Sequence, residues 1–238
     1  MNDLKLDRRL STAIKYLRSG MRLADIGTDH AYLPIYAVMN GISSFAIASD
    51  INEGPINRAK LHIESYSLSD KIATIRTDGL NGIEKYSPND IVIFGMGGEL
   101  IVTILKEAKW SWTSNTRFIL QPMTNTDTVR LFLAENGFSI IGETLSEEAG
   151  KLYVTICCEY TGKTVSLSFA ESLLGRYNIE NALSSPLFEK LTQRVLNTYQ
   201  VRLDGKKSAG INTTLEETVI KEISCVIEKI EKSKEKTI

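Results

Sequence analysis

Apolar residues recur along the chain with two periods, and the way those periods alternate predicts the architecture. Over 4–17, Leu6, Leu10, Ala13, Ile14 and Leu17 fall on one face of an amphipathic helix, with Gly20 just past its end. Short apolar runs at 22–26, 45–49, 72–77, 91–94 and 118–120 then alternate with helical patterns at 32–40, 54–65, 99–108 and 127–136. Runs at 138–144 and 152–160 follow with no helix between them and predict an antiparallel pair. Strands separated by helices of about ten residues require right-handed crossovers. The expected fold class is α/β, a mostly parallel, doubly wound sheet with an antiparallel end.

The strand pattern stops after Gly162. A helix from 186 to 203, a break containing Gly205 and Gly210, and a helix from 214 to the end predict an antiparallel hairpin of coiled-coil type. Its seam is expected at Ile220, Ile223, Ile227 and Ile230, facing Leu191 and Val195. The division expected is a catalytic domain with its opening helix over 1–162 and a helical domain over 163–238.

Composition narrows the class. A chain of 238 residues, 42% apolar and 24% charged, can bury a full core and is neither disordered nor fibrous. No apolar run approaches the roughly 18 residues of a membrane span, and Asp3, Lys5, Asp7, Arg8 and Arg9 crowd the start, so a cytoplasmic protein without a secretion signal or membrane partner is expected. Cys157, Cys158 and Cys225 lack zinc spacing and read as buried thiols in a reducing compartment; no metal is expected. Charge is uneven. Residues 1–22 hold six Lys or Arg against two Asp, 23–162 ten against seventeen acids, and 163–238 twelve against ten. An acidic middle between more basic ends is compatible with a core flanked by polyanion contacts, and equally with ordinary solvated helix faces.

The chemistry gathers at predicted strand ends. The first strand runs into Asp25-Ile26-Gly27-Thr28-Asp29-His30-Ala31, a small-residue turn opening a helix. Such turns lie at the carboxyl edge of a parallel sheet, where ligands bind near a switch in strand order. Gly27 would let backbone approach a cofactor, and Asp25 would attract a charged amino acid moiety; the plainer alternative makes Thr28 or Asp29 a helix N-cap. Asp50, twenty-three residues after Gly27, is placed to accept from ribose hydroxyls, and Asp78, before Gly79, from an adenine amino group. The dinucleotide pattern G-x-G-x-x-G is absent at this turn. After the fourth strand, Gly95-Met96-Gly97-Gly98 would leave room for a flat base, and Gln121-Pro122 ends the fifth.

The run from Asp25 through Ala31-Tyr32-Leu33-Pro34, with Gly95-Met96-Gly97-Gly98 and Gln121-Pro122, resembles the bacterial tRNA (adenine-22-N1)-methyltransferase family, TrmK, over nearly the whole chain. The resemblance implies S-adenosyl-L-methionine as methyl donor, tRNA as partner and N1 of adenine 22 as acceptor. Implied donor contacts are Asp25, Gly27, Thr28, Asp50, Ile51, Asp78, Gly79, Gly95, Met96 and Gly97. Asp29, His30 and Tyr32 would form the catalytic pocket. Arg8, Arg9, Gly98, Gln121, Pro122, Arg194 and Arg202 would contact the substrate, with Lys15, Arg18, Lys190, Lys206 and Lys207 as further phosphate contacts. A monomer is favoured. Two readings compete: a methyltransferase for a small molecule or protein, and a non-catalytic RNA-binding protein of the same fold.

Overall fold

The computed structural model describes residues 4–235, so Asp3 and the last three residues of the predicted final helix lie outside it. Seven strands, β1 Met21–Ile26, β2 Ser43–Asp50, β3 Ile72–Arg76, β4 Asp90–Met96, β5 Arg117–Pro122, β6 Phe138–Glu148 and β7 Lys151–Tyr160, form one sheet in the order β3-β2-β1-β4-β5-β7-β6. The first five are parallel, and β7 runs antiparallel to β5 and β6. The order reverses between β1 and β4.

Alternating strand residues feed two cores. Leu23 of β1 and Val92 and Phe94 of β4 pack towards α1 (Arg8–Ile14), α2 (Tyr32–Met39) and α3 (Glu53–Ser65), with Ala13, Leu33, Ile35, Ala59 and Ile63 buried there. Ala24, Ile91 and Ile93 face the other way, towards α4 (Gly98–Glu107) and α5 (Thr126–Glu135). The opening helix is shorter than predicted. Asp7 caps it by accepting from the Leu10 N–H at 2.6 Å. Soon after its end, the Arg18 N–H and Nε each donate to the buried Asp90 carboxylate at 2.7 Å. Arg18 is thereby committed to the base of β4, which removes it from the phosphate-contact candidates.

Past the sheet, one π-helical turn at Glu171–Gly175 leads through α6 (Arg176–Asn181) to α7 (Pro186–Ser208) and α8 (Thr214–Glu235). The structure departs from the expected hairpin in two places. The helix continues through Gly205, so the break begins only after Ser208. The buried row of α8 is Val219, Ile223, Val226 and Ile230, at 4-3-4 spacing, with Ile220 and Ile227 half-buried on its flank. Valines share the seam because contact with α7 and the sheet core, rather than the isoleucine repeat, selects the inward face. Leu191, Phe188 and these four side chains belong to the same apolar cluster as Ile91 and Phe118 of the sheet. Cys157 and Cys158 are buried, and burial pushes the Cys157 thiol up to about 12; Cys225, expected buried, is exposed because it points away from the seam.

The junction is fastened by Arg130 of α5, fully buried. Its Nε donates to Glu143 of β6 at 2.8 Å, and its Nη1 donates to the carbonyls of Ser172 and Leu173 at 2.8 and 2.9 Å. Burial raises the Glu143 carboxyl and the Arg130 guanidinium pulls it back.

Candidate active site

At the reversal between β1 and β4, where the helices leave opposite faces, a cleft of about 410 Å³ opens at the carboxyl edge of the sheet. Asp25, Gly27, Thr28 and Asp29 line it from β1 and its following turn, Tyr32 and Leu33 from α2, and Asp50 from the tip of β2. Phe94, Gly95 and Met96 come from β4, and Asp7, Arg9 and Leu10 close it from the opening segment. The Gly27 and Thr28 N–H groups both donate to the Ser49 carbonyl at 2.8 Å, which turns the chain sharply off β1. Gly27 has a φ of +77°, and a Cβ there would overlap Met96 Cε, so backbone freedom and close approach both demand glycine.

Asp25 is 8% exposed, and burial pushes its carboxyl up to about 6; Thr28 and Arg9 pull it down, and Asp50 pushes it up. Among the described residues the buried Thr28 hydroxyl has no hydrogen-bond partner, so its influence on Asp25 is that of a nearby dipole rather than a formed bond. Asp50 holds its turn by accepting from the Asn52 N–H at 2.7 Å. A buried acid without an ion-pair partner among the described residues, an unpartnered hydroxyl, an open backbone at Gly27 and a second acid one strand away fit a ligand carrying an ammonium and hydroxyls. These groups therefore suit S-adenosyl-L-methionine.

The turn after β1 is strained. His30 and Ala31 have φ of 60° and 54°, and each left-handed non-glycine costs about 1 kcal/mol or more. Helix α2 starts after Ala31 with no side-chain cap, which overturns the N-cap alternative for Thr28 and Asp29. Asp29 is exposed and accepts from Arg58 Nη2 and Nε of α3 at 3.0 and 3.3 Å, with His30 Nε2 at 3.6 Å. The His30 and Tyr32 rings stack at 5.5 Å, and Tyr32, 38% exposed, sits at the cleft rim. His62 of α3 bonds the His30 carbonyl at 2.6 Å and sets its ring edge against Tyr32 at 5.0 Å and Tyr66 at 5.2 Å. Sequence reasoning missed Arg58 and His62. Their i, i+4 spacing on the helix after β2 was the available signal, but nothing in it said which turn they would face.

Ile51, Asp78, Gly79, Gly97, Gly98, Gln121 and Pro122 are not in the cleft lining. Gly98 is dictated by packing: its N–H donates to the Thr124 carbonyl at 2.9 Å, and a Cβ would strike the Asn125 carbonyl. A Cβ on Gly97 would come within 3.3 Å of the Thr124 hydroxyl, and one on Gly79 within 3.2 Å of Ile104. Gln121 is fully buried beside buried Pro122; its Nε2 donates to Thr155 at 2.8 Å and its Oε1 accepts from Arg9 Nη1 at 3.3 Å. It thus steadies Arg9 from below. Arg8 and Lys15 are exposed on the opening helix. On the hairpin, Lys190, Lys206 and Lys207 pair with Glu147, Glu216 and Glu217. Arg194 and Arg202 are exposed, and among the described residues neither has a carboxylate at ion-pair distance; Arg202 lies over the Tyr199 ring at 4.9 Å. A second cavity of about 420 Å³, lined by Phe138, Ile140, Val165 and Tyr177, carries none of the strand-tip acids.

The sheet order, the antiparallel β7 and the cleft at the switch point define a class I Rossmann-like methyltransferase. A family described as a methyltransferase domain matches residues 6–156. The chain is 38% identical over 208 residues to the tRNA (adenine(22)-N(1))-methyltransferase of Bacillus subtilis, covering 84% of this chain and 86% of the relative. It superposes on the crystal structure of the B. subtilis M1A22 tRNA methyltransferase TrmK with a TM-score of 0.80 at 34% identity, covering 97% of this chain and 99% of that one. On M. capricolum TrmK in complex with S-adenosyl-homocysteine the TM-score is 0.74 at 27% identity, covering 96% and 97%. The chain belongs to the tRNA (adenine-22-N1)-methyltransferase family. Among the described residues no helix is long and apolar enough to cross a membrane.

Proposed function

We propose that this protein methylates N1 of adenine 22 in tRNA. The observation that carries the reading is the cleft between β1, β2 and β4, with Asp25 buried at its floor and Asp50 on the next strand tip, in a chain of this family. S-adenosyl-L-methionine, when bound, supplies an electrophilic methyl group. Asp25 would hold its ammonium, Thr28 would donate to or accept from its amino acid portion, and Asp50 would accept from its ribose hydroxyls. Arg9, steadied by Gln121, is placed to meet a carboxylate or phosphate at the entrance.

The acceptor needs no general base. Neutral adenine N1 has a lone pair in the ring plane, so the chain's contribution is to position the base and to stabilise the positive charge the ring acquires. Tyr32 offers an aromatic face at the rim, and Asp29 in the cleft lining would accept from the exocyclic amino group. N1 lies on the Watson–Crick edge, so the base must be unpaired when it enters, and contacts to RNA beyond the pocket are required. We assign these to Arg8 and Arg9 on residues 1–162, the catalytic unit, and to Arg194 and Arg202 on residues 163–238.

The test is methyl transfer from labelled donor to a tRNA transcript and to the same transcript with guanine at position 22. Labelling of the first alone is expected. Equal labelling of both would remove the position, and labelling of neither would remove the activity.

A further inference from the structure

The strained turn that carries Asp29 and Tyr32 does not hold itself. His30 and Ala31 both sit in the left-handed region, and α2 begins without a side-chain cap. Such a pair persists only where surrounding contacts over-determine it. Those contacts come from α3. Ala59 and Ile63 are buried in the sheet core, which fixes the rotation of that helix. The positions just before them, Arg58 and His62, are four residues apart and therefore share a face, which looks onto the turn. Arg58 reaches the Asp29 carboxylate, and His62 Nδ1 lies 2.6 Å from the His30 carbonyl oxygen. A carbonyl only accepts, so Nδ1 carries the proton and His62 donates. Neither residue lines the cleft.

We infer that His62 is a positioning residue: its Nδ1–H bond to the His30 carbonyl locks the left-handed turn and so sets where Asp29 and Tyr32 stand in the cleft. The His62 ring edge against Tyr32 adds a lateral stop, but the bond fixes the peptide between His30 and Ala31, on which the direction of both side chains depends. Turn and clamp come from elements thirty-two residues apart, so the seat for the acceptor base is assembled only when α3 docks on the sheet. The inference rests on the proposed methylation for its kinetic consequence, but the locking of the turn can be read without it.

Three variants of the full chain separate the bond from the ring. Asn places its amide nitrogen where His has Nδ1, so His62→Asn keeps the donor and loses the ring. His62→Leu has nearly the shape of Asn and no donor, and His62→Phe keeps a ring and has no donor. Two measurements are made on each, after thermal melting has identified a temperature at which all are folded. Hydrogen–deuterium exchange is followed over residues 28–36, and methylation of tRNA is followed for kcat and for the KM of donor and tRNA. We expect His62→Leu and His62→Phe to speed exchange in that segment and to lower kcat by about a hundred-fold, the scale of a misplaced reacting pair, with both KM values within a few-fold of wild type. His62→Asn should restore slow exchange and most of kcat. Normal exchange in His62→Leu overturns the inference, as does equal impairment of His62→Asn and His62→Leu, which would assign the effect to the ring. If the wild-type protein transfers no methyl to tRNA, the proposed function fails, and the exchange comparison alone still decides whether His62 locks the turn.

Discussion

Asp25 and Glu143 are both buried, and burial is the largest influence raising each, yet they stand in opposite circumstances. Glu143, at the junction with the C-terminal helices, has the Arg130 guanidinium at 2.8 Å. Asp25, on the cleft floor, has no ion-pair partner among the described residues, only the pull of nearby Thr28 and Arg9. At the junction the desolvation of an acid is offset within the fold; at the cleft it is left for a ligand to offset. The difference separates a group that fastens the structure from one prepared to bind. A similar division holds for the cations: Lys190, Lys206 and Lys207 are ion-paired with neighbouring acids, whereas among the described residues Arg194 and Arg202 have no carboxylate at ion-pair distance.

The largest effect is expected where the fold supplies the partner. Arg130→Met leaves Glu143 buried without its cation and strips the Ser172 and Leu173 carbonyls of a donor, which should cost about 3–5 kcal/mol in denaturant unfolding. Pairing it with Glu143→Leu removes the stranded acid and should recover much of the loss. A double variant no better than Arg130→Met would show that the carbonyl contacts, not the ion pair, dominate.

Asp25→Asn should act in the opposite direction. With its carboxyl raised from 3.8 to about 6, the folded protein holds a proton that the unfolded chain releases, so Asp25 lowers stability as pH rises from about 4 to about 6, by up to about 3 kcal/mol on the plateau above. The variant should therefore melt higher than wild type at pH 8, equally at pH 3.5, and bind donor more weakly. For wild type, calorimetry should find donor affinity about tenfold lower at pH 5 than at pH 7, because the ammonium is held by the ionised form. Flat affinity across that range would detach Asp25 from the donor.

Asp50→Ala removes an acceptor at a more open position, and a loss of about 1–3 kcal/mol in donor binding is expected, with little change in melting. Unchanged affinity in the folded variant would reassign the ribose contact.

The smallest effects concern the hairpin. Arg194→Ala and Arg202→Ala should each flatten the slope of log affinity for tRNA against log salt by somewhat under one unit, while Lys206→Ala, which breaks the pair with Glu216, should leave the slope and lower the melting temperature. Slopes unchanged from wild type in both arginine variants would sink the RNA-binding role of this element.

Periodicity was enough to read the doubly wound sheet, the antiparallel β6–β7 end and the helical tail, because burial of one face imposes period two or 3.6 on each element separately. It also placed Asp25, Gly27 and Asp50, since strand ends of a parallel sheet share one edge whatever the strand order. Tertiary structure alone decided the rest. Arg18 reaches Asp90 across seventy-two residues, Arg9 reaches Gln121 across one hundred and twelve, and His62 reaches the His30 carbonyl across thirty-two. None of these partners could be read from the sequence, because a polar side chain leaves no periodic trace of its partner. The isoleucine repeat of α8 misled for a related reason: a helix with apolar residues on adjoining stripes does not say which stripe faces inward until its neighbours are packed.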